Sequence, residues 1–120
     1  MSNIVLIKHA RNWGLDEQMV IGLMRKALDK EKLKDVEVSL VFVGRKKAKD
    51  LNIKYRQKFY VPQVLGFPLD LVKSEDGLIH IGDIVICTQK LKYEVVFLKK
   101  SLEEVLWEWL VHGVENLYKG

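Results

Sequence analysis

Two polar residues near the end of the sequence, His112 and Asn116, have a spacing that could build a metal site. They lie four positions apart, so a helix places both on one face. Two histidines at this spacing typically bind a metal, and a catalytic zinc needs about three protein ligands plus a position for water. Asparagine is a poor zinc ligand because its amide oxygen is neutral and hard. The alternative is a solvated polar face that also contains Glu108 and Glu115.

Arg56 is the second candidate, because it ends a basic segment and precedes two aromatic residues. Lys58 follows it, and Phe59 and Tyr60 come next. Arginine and aromatic side chains together hold single-stranded RNA through phosphate contact and base stacking. The alternative is a solvated helix face with a tyrosine in the core. A further basic cluster could contact phosphates or remain solvated surface; it consists of Arg45, Lys46 and Lys47.

Four other residues with reactive side chains have weaker patterns. His80 and Asp83 flank Gly82, and a regular strand would place them on opposite faces. A bulge at the glycine would change that arrangement. His9 and Cys87 are predicted to be structural.

Hydrophobic periodicity predicts the strands that position these residues. Strands are predicted at residues 4–8 and 36–43, the second with an alternating apolar face. A loop from residue 59 leads into an extended piece at 64–67, and residues 78–87 form a β-rich run that Gly82 and Asp83 interrupt.

Helices are predicted after a capping Asp16 and at residues 45–57, with Ala48, Leu51 and Tyr55 facing inward. Residues 88–100 are predicted to be at least partly helical.

The C-terminal helix has the clearest start, since Ser101-Leu-Glu-Glu104 is a capping box. This helix carries His112, and its predicted buried stripe consists of Leu102, Val105, Leu106, Trp109, Leu110 and Leu117.

Size and composition predict one domain over residues 1–120, of α/β or α+β class, with a small mixed sheet packed by helices. The net charge of +4 favours polyanionic partners. The single cysteine excludes an internal disulfide and fits a reducing cytoplasm. The apolar run at the start is too short for a signal peptide, and no stretch approaches the roughly 20 apolar residues of a membrane span.

Five segments carry a resemblance to a known family, namely residues 38–43, 51–58, 64–69, 82–86 and 110–113. In this order they resemble the YbeY-type rRNA maturation factors, a family of single-strand-specific, metal-dependent endoribonucleases. The resemblance implies a small mixed sheet and a helix that carries the metal motif. It also implies a metal, usually zinc, held by three histidines, and an arginine that contacts RNA or the transition state. Arg56 matches that arginine, and His112 matches the first histidine.

The sequence also departs from the family pattern around the expected site. Asn116 stands where the second histidine belongs, and the Gly-Tyr-Asp-His continuation does not occur before Gly120. The family favours Thr-Asp before Val64 and Ser before Phe67, whereas this chain has Pro62, Gln63 and Gly66.

Three hypotheses follow, and whether the chain is an active enzyme stays open among them. The first hypothesis is a metal-dependent endoribonuclease that acts in rRNA processing. In that case His80, Asp83 or a partner chain would have to supply further metal ligands. Alternatively, it is a non-catalytic relative that binds ribosomal RNA or ribosomal proteins through Arg56. The third hypothesis is a protein-interaction module, which would need an exposed Trp107. A monomer or weak oligomer is expected.

Overall fold

The chain forms strands and helices in the predicted sequence order, in a computed structural model that describes residues 3–69, 75 and 77–118. The elements are β1 (Ile4–Lys8), α1 (Glu17–Lys30), β2 (Val36–Val43), α2 (Arg45–Arg56), β3 (Val64–Pro68), β4 (Ile79–Cys87), α3 (Thr88–Leu98) and α4 (Leu102–Tyr118). Asp16 caps α1 as predicted, since its carboxylate accepts a hydrogen bond from the Gln18 backbone N–H.

The four strands form one mixed sheet in the order β1-β2-β4-β3. β1 and β4 both run parallel to β2, whereas β3 runs antiparallel to β4 and occupies the edge. The α/β (α+β) class with a small mixed sheet is therefore confirmed. In β2 the alternation is regular, and every second residue is buried from Val36 to Phe42.

Helices α1 and α4 cover one face of the sheet and build the main core with it. Val20 and Met24 from α1 and Leu106 and Leu110 from α4 are fully buried there with Leu40 of β2. The predicted stripe of α4 is confirmed except at its first member, because Leu102 lies half-buried at the helix start.

Helix α2 lies on the opposite face of the sheet from α4. Gly66 faces α4, because a Cβ there would lie 3.1 Å from the Asn116 Cβ. Its neighbour Phe67 therefore points the other way, and the Phe67 ring meets Tyr55 of α2 edge-on at 5.2 Å. The edge strand β3 thus has α2 on one side and α4 on the other.

The prediction that Tyr55 faces inward is wrong, since the side chain is 54% exposed. Leu51 is half-buried, and the fully buried side chains of α2 are Ala48 and the polar Asn52. The ring of Tyr55 reaches the edge strand β3, where it meets Phe67. The described residues form no strand beyond that edge, so the sheet does not provide the burial that the helical pattern predicted.

A bulge interrupts β4 near Gly82, which the sequence left open as the alternative to a regular strand. The pairing shifts so that Glu37 lies opposite His80 and Val38 lies opposite Gly82. Gly82 has φ +139°, a conformation that favours glycine. Because of the extra residue, His80 and Asp83 share one face of the sheet.

Both residues lie on the face of the sheet that is turned away from α4. Their pairing partners on β2 occupy the positions between the β2 residues that are buried in the core. His80 contacts the Glu37 carboxylate on this face. Within the described ranges, no helix combines the length and the hydropathy needed to cross a bilayer.

Candidate functional site

Helix α4 holds His112 in place through a well-defined start and a close packing contact. The Ser101 hydroxyl accepts a hydrogen bond from the Glu104 N–H, and the Glu104 carboxylate accepts one from the Ser101 N–H, each at 3.1 Å. The hydrogen bond from the Ser101 N–H to the Glu104 carboxylate, followed by one from the Ser101 side chain, lowers the pKa of Glu104 below its usual value. At Gly113 a Cβ would lie 3.0 Å from Ile84 Cγ2, so the glycine lets α4 approach β4 closely.

His112 and Arg56 line the same cleft, although they come from helices on opposite faces of the sheet. A cavity of about 430 Å³ lies between Arg56, Gly66, His112 and Asn116. A second cavity has a volume of about 280 Å³. It is also lined by Arg56 and His112, together with Tyr60 and Lys90. Both cavities also contact Val64 of the edge strand. We call this joined space the β3 cleft.

A third cavity extends the β3 cleft along α4. It has a volume of about 480 Å³ and shares Gln63, Val64 and His112 with the space described above. Its far side carries the carboxylates of Glu94 and Glu108. The cleft is therefore basic at its Arg56 end and carries two carboxylates at the opposite end, where Glu108 pairs with Lys100 at 3.1 Å. The exposed His112 lies between the two ends.

Two departures from the family pattern touch each other in this cleft. Asn116 occupies the expected second ligand position on the same face of α4 as His112. Gly66 stands where the family favours serine, and a Cβ added there would meet the Asn116 Cβ at 3.1 Å. The Cβ of Asn116 therefore limits the space for a side chain at residue 66.

The described residues do not fit a zinc ion held by three protein ligands. Across residues 3–69, 75 and 77–118, no three histidine, cysteine, aspartate or glutamate side chains gather closely enough to bind a metal. His112 contributes one imidazole, and Asn116 contributes an amide. The expectation that His80 or Asp83 could complete the site is wrong, because both lie on the face of the sheet away from α4.

The loop that joins α2 to β3 forms one wall of the β3 cleft and is fixed along its length. The buried Asn52 amide donates to the Tyr60 carbonyl at 3.0 Å. The Lys90 ammonium donates to the Val61 carbonyl at 2.7 Å. The Gln63 amide donates to the Glu94 carboxylate at 2.5 Å, and the Gln63 carbonyl accepts from the Cys87 N–H at 3.1 Å.

Sequence reasoning missed Asn52 and Lys90 as residues that shape the site. A weak signal for Asn52 existed, because it lies one turn after Ala48 on the inward row of α2. No local signal existed for Lys90, since its partner at Val61 comes from a distant part of the sequence.

The predicted basic cluster at Arg45, Lys46 and Lys47 does not line the β3 cleft. It begins α2, whereas Arg56 ends it, so the two groups are separated by about 16 Å along the helix axis. Lys46 pairs with Asp50 at 3.5 Å. Lys58 is exposed just beyond Arg56. Contact of these residues with RNA stays a prediction.

The remaining residues singled out from the sequence have packing roles. His9 stacks on Trp13 with ring centroids 3.8 Å apart, and Cys87 is buried at the end of β4. Trp107 is half-buried against the core, so it is neither the exposed aromatic that would support the protein-interaction hypothesis nor the fully buried one that would remove its motive.

Comparison with known proteins agrees with this arrangement of sheet and helices. Residues 8–118 match the sequence model of the family described as Endoribonuclease YbeY. The chain belongs to the YbeY endoribonuclease family. It is 31% identical over 110 residues to the Endoribonuclease YbeY of Cellvibrio japonicus, covering 92% of this chain and 56% of that protein. A second YbeY relative, from Janthinobacterium sp. (strain Marseille), is 38% identical over 82 residues, covering 68% of this chain and 53% of the relative.

The chain therefore spans about half the length of the curated YbeY proteins that it matches. Its fold is also similar to that of a Thermotoga maritima protein whose structure was solved in solution. That similarity has a TM-score of 0.60 with 21% identity, and it covers 96% of this chain and 71% of the other. At this identity the match supports the fold alone.

Proposed function

We propose that this protein acts in ribosomal RNA processing and that the β3 cleft holds single-stranded RNA. Arg56 is the residue to which we assign the phosphate contact, because a guanidinium matches the oxygens of a phosphate in a bidentate way. The observation that carries the proposal is the meeting of Arg56 and His112 in one cleft. Membership of the YbeY family supports RNA as the substrate class.

In this proposal Arg56 orients the backbone and stabilises negative charge on the phosphoryl group, which is where charge grows during hydrolysis. His112 is exposed beside it and is the residue that we assign to a zinc ion. A bound zinc would supply a hydroxide nucleophile near neutral pH. The described residues offer it one imidazole and no complete set of ligands, so cutting by the whole protein needs ligands beyond His112 and Asn116.

A non-catalytic RNA-binding or ribosome-binding relative is the second candidate. The amide of Asn116 in the second ligand position favours it, because an amide oxygen binds zinc weakly. In this case the β3 cleft docks RNA or a ribosomal protein without cutting it. Both candidates place the protein in the cytoplasm, where a single unpaired cysteine is expected.

One experiment separates the two candidates. A fluorescently labelled single-stranded oligoribonucleotide from a ribosomal RNA terminus is titrated with the protein, and the same samples are resolved on a denaturing gel with and without added zinc. Binding with zinc-dependent cleavage supports the endoribonuclease. Binding without cleavage supports the non-catalytic relative. Absence of binding contradicts the endoribonuclease and the RNA-binding form of the second candidate.

A further inference from the structure

Two consecutive aromatic side chains project from the loop at the basic end of the β3 cleft. Phe59 is 74% exposed and Tyr60 is 51% exposed. Exposing an aromatic ring forgoes the free energy that its burial would contribute. Two such residues side by side next to a candidate binding site therefore need a physical reason.

The exposure is imposed by a fixed backbone. Gln57 ends α2 in the left-handed conformation, with φ 57°, which turns the chain sharply out of the helix. The Asn52 amide then holds the Tyr60 carbonyl, and the Lys90 ammonium holds the Val61 carbonyl. With the carbonyls of Tyr60 and Val61 both bound from the protein side, the backbone that carries the exposed Tyr60 ring is fixed before any ligand arrives.

The surroundings of these rings are cationic. Tyr60 lines the smaller cavity of the β3 cleft together with Arg56 and Lys90. Lys58 lies between Arg56 and the two aromatic residues and is exposed. Among the residues that the structure describes, none of those lining this cavity carries a carboxylate. The loop therefore combines exposed aromatic faces with positive charge at the place where we assign the RNA phosphate.

We propose that Tyr60, with Phe59 beside it, is a stacking platform for unpaired bases of an RNA strand whose backbone lies on Arg56. This inference rests on the proposed function and specifies the chemistry of its ligand. Every base presents a π face, so stacking on aromatic rings is strong and tolerant of sequence. Bases in a duplex have their faces covered, so the platform selects single strands. The fixed loop keeps the ordering cost of binding low.

The test uses oligoribonucleotides that separate base stacking from phosphate contact. One is an ordinary single strand, and the other carries several abasic positions in the same ribose-phosphate backbone. Binding of both to the full chain is measured by fluorescence anisotropy at one salt concentration. The platform predicts that the abasic strand binds about tenfold more weakly. Equal binding of the two strands overturns the inference.

Variants locate the effect on the protein. Tyr60→Leu and the double variant with Phe59→Leu keep apolar side chains but remove the rings. They are expected to bind the ordinary strand about tenfold more weakly while leaving binding of the abasic strand unchanged. The matched control is Phe97→Leu, since Phe97 is a 60% exposed aromatic on α3 that lines none of the cavities described above. Circular dichroism and the urea midpoint confirm that each variant is folded.

The outcomes distinguish this inference from the proposed function. If the protein binds RNA through Arg56 but the leucine variants bind like wild type, the platform is refuted and the function stands. If the variants lose binding to a ribosomal protein while RNA binding is unchanged, the loop is a protein-docking site and the inference is wrong. If the full chain binds no RNA, the proposed function itself fails.

Discussion

At the scale of single residues, the function that we propose depends on Arg56 more than on His112. Arg56 lines both cavities at the basic end of the cleft, and its planar guanidinium suits a bidentate contact with a phosphate. His112 also lines both, but its partner on α4 is an amide. The residue that we assign to the phosphate is therefore present in the described chain, whereas a full set of metal ligands is not found among the described residues.

Replacing Arg56 with alanine is expected to weaken binding of single-stranded RNA about tenfold, because one phosphate contact is lost. The slope of log K against log salt should become shallower by about 0.7, the value for one contact to a single strand. Anisotropy titrations at several salt concentrations measure both quantities. Arg25→Ala removes an exposed cation on α1, outside the β3 cleft, and should change neither. An unchanged salt slope in Arg56→Ala would contradict the phosphate assignment.

Replacing Asn116 with histidine is expected to raise zinc affinity at least about tenfold, because two imidazoles one helical turn apart chelate a metal. The new side chain must turn away from Gly66, whose backbone lies close to the position. Isothermal titration with zinc measures the effect. Asn116→Gln is the size-matched control and should bind zinc like wild type. If the histidine variant gains nothing, His112 does not face the position that a metal would occupy.

At the scale of elements, the cleft depends on how β3 and α4 meet the bulged strand β4. Gly82 allows that meeting, because a Cβ there would lie 2.3 Å from the Phe67 carbonyl oxygen and 3.0 Å from Leu117 Cδ2. Strand β3 and the last turn of α4 therefore converge on one backbone position. Any side chain at residue 82 pushes both elements apart.

Gly82→Ala is expected to destabilise the protein by about 2–3 kcal/mol, because alanine at φ +139° is strained and its methyl group collides with backbone. The free energy of unfolding in urea measures the loss. Gly22→Ala is a control at a glycine where a side chain is expected to stabilise the protein. Its Cβ would meet nothing within 4 Å in the middle of α1, so it should stabilise the protein by about 0.5–1 kcal/mol. Equal effects of the two variants would show that the bulge tolerates a side chain.

At the scale of the whole molecule, a hydrogen bond joins the end of α4 to the end of α1. The Tyr118 hydroxyl donates to the Glu31 carboxylate. This hydrogen bond, together with partial burial and the nearby negative charge, raises the pKa of Tyr118 from 10.0 to about 12. The bond therefore ties the two core helices together as long as the phenol is protonated.

The stabilisation from the hydrogen bond between Tyr118 and Glu31 depends on pH with a definite sign. Because the folded state holds the Tyr118 proton more tightly, the stabilisation is complete below pH 10 and is lost as the pH rises toward 12. The difference in unfolding free energy between wild type and Tyr118→Phe should therefore shrink between pH 9 and about pH 11.5. Urea denaturation at both pH values measures it. A difference that stays constant would mean that the hydroxyl is not held by Glu31 in solution.

Much of this architecture could be predicted from the sequence, and the exceptions have a common cause. The capping box at Ser101, the alternation in β2 and the stripe of α4 are local patterns, and each was confirmed, the stripe with the exception of Leu102. The exposure of Tyr55 and the role of Lys90 depend on which strand lies at the sheet edge. That order is set by pairing between residues far apart in sequence, so no local pattern contains it.

The same holds for the site. The resemblance to the YbeY family paired Arg56 with His112, and the structure places both on one cleft. The contact between Gly66 and Asn116 could not be predicted, because it joins an edge strand to a helix that follows it after two intervening elements.

The position of β4 has a consequence for how the chain folds during its own synthesis. β4 pairs with both β2 and β3 and is translated after them. Until it leaves the ribosome, β2 has an unpaired inner edge and its apolar residues lack α4. Late, non-local pairing of this kind slows folding, and it leaves apolar surface and unpaired strand edges exposed in folding intermediates. The nascent chain is therefore most vulnerable to aggregation between the synthesis of β2 and the release of α4, when a chaperone would help it most.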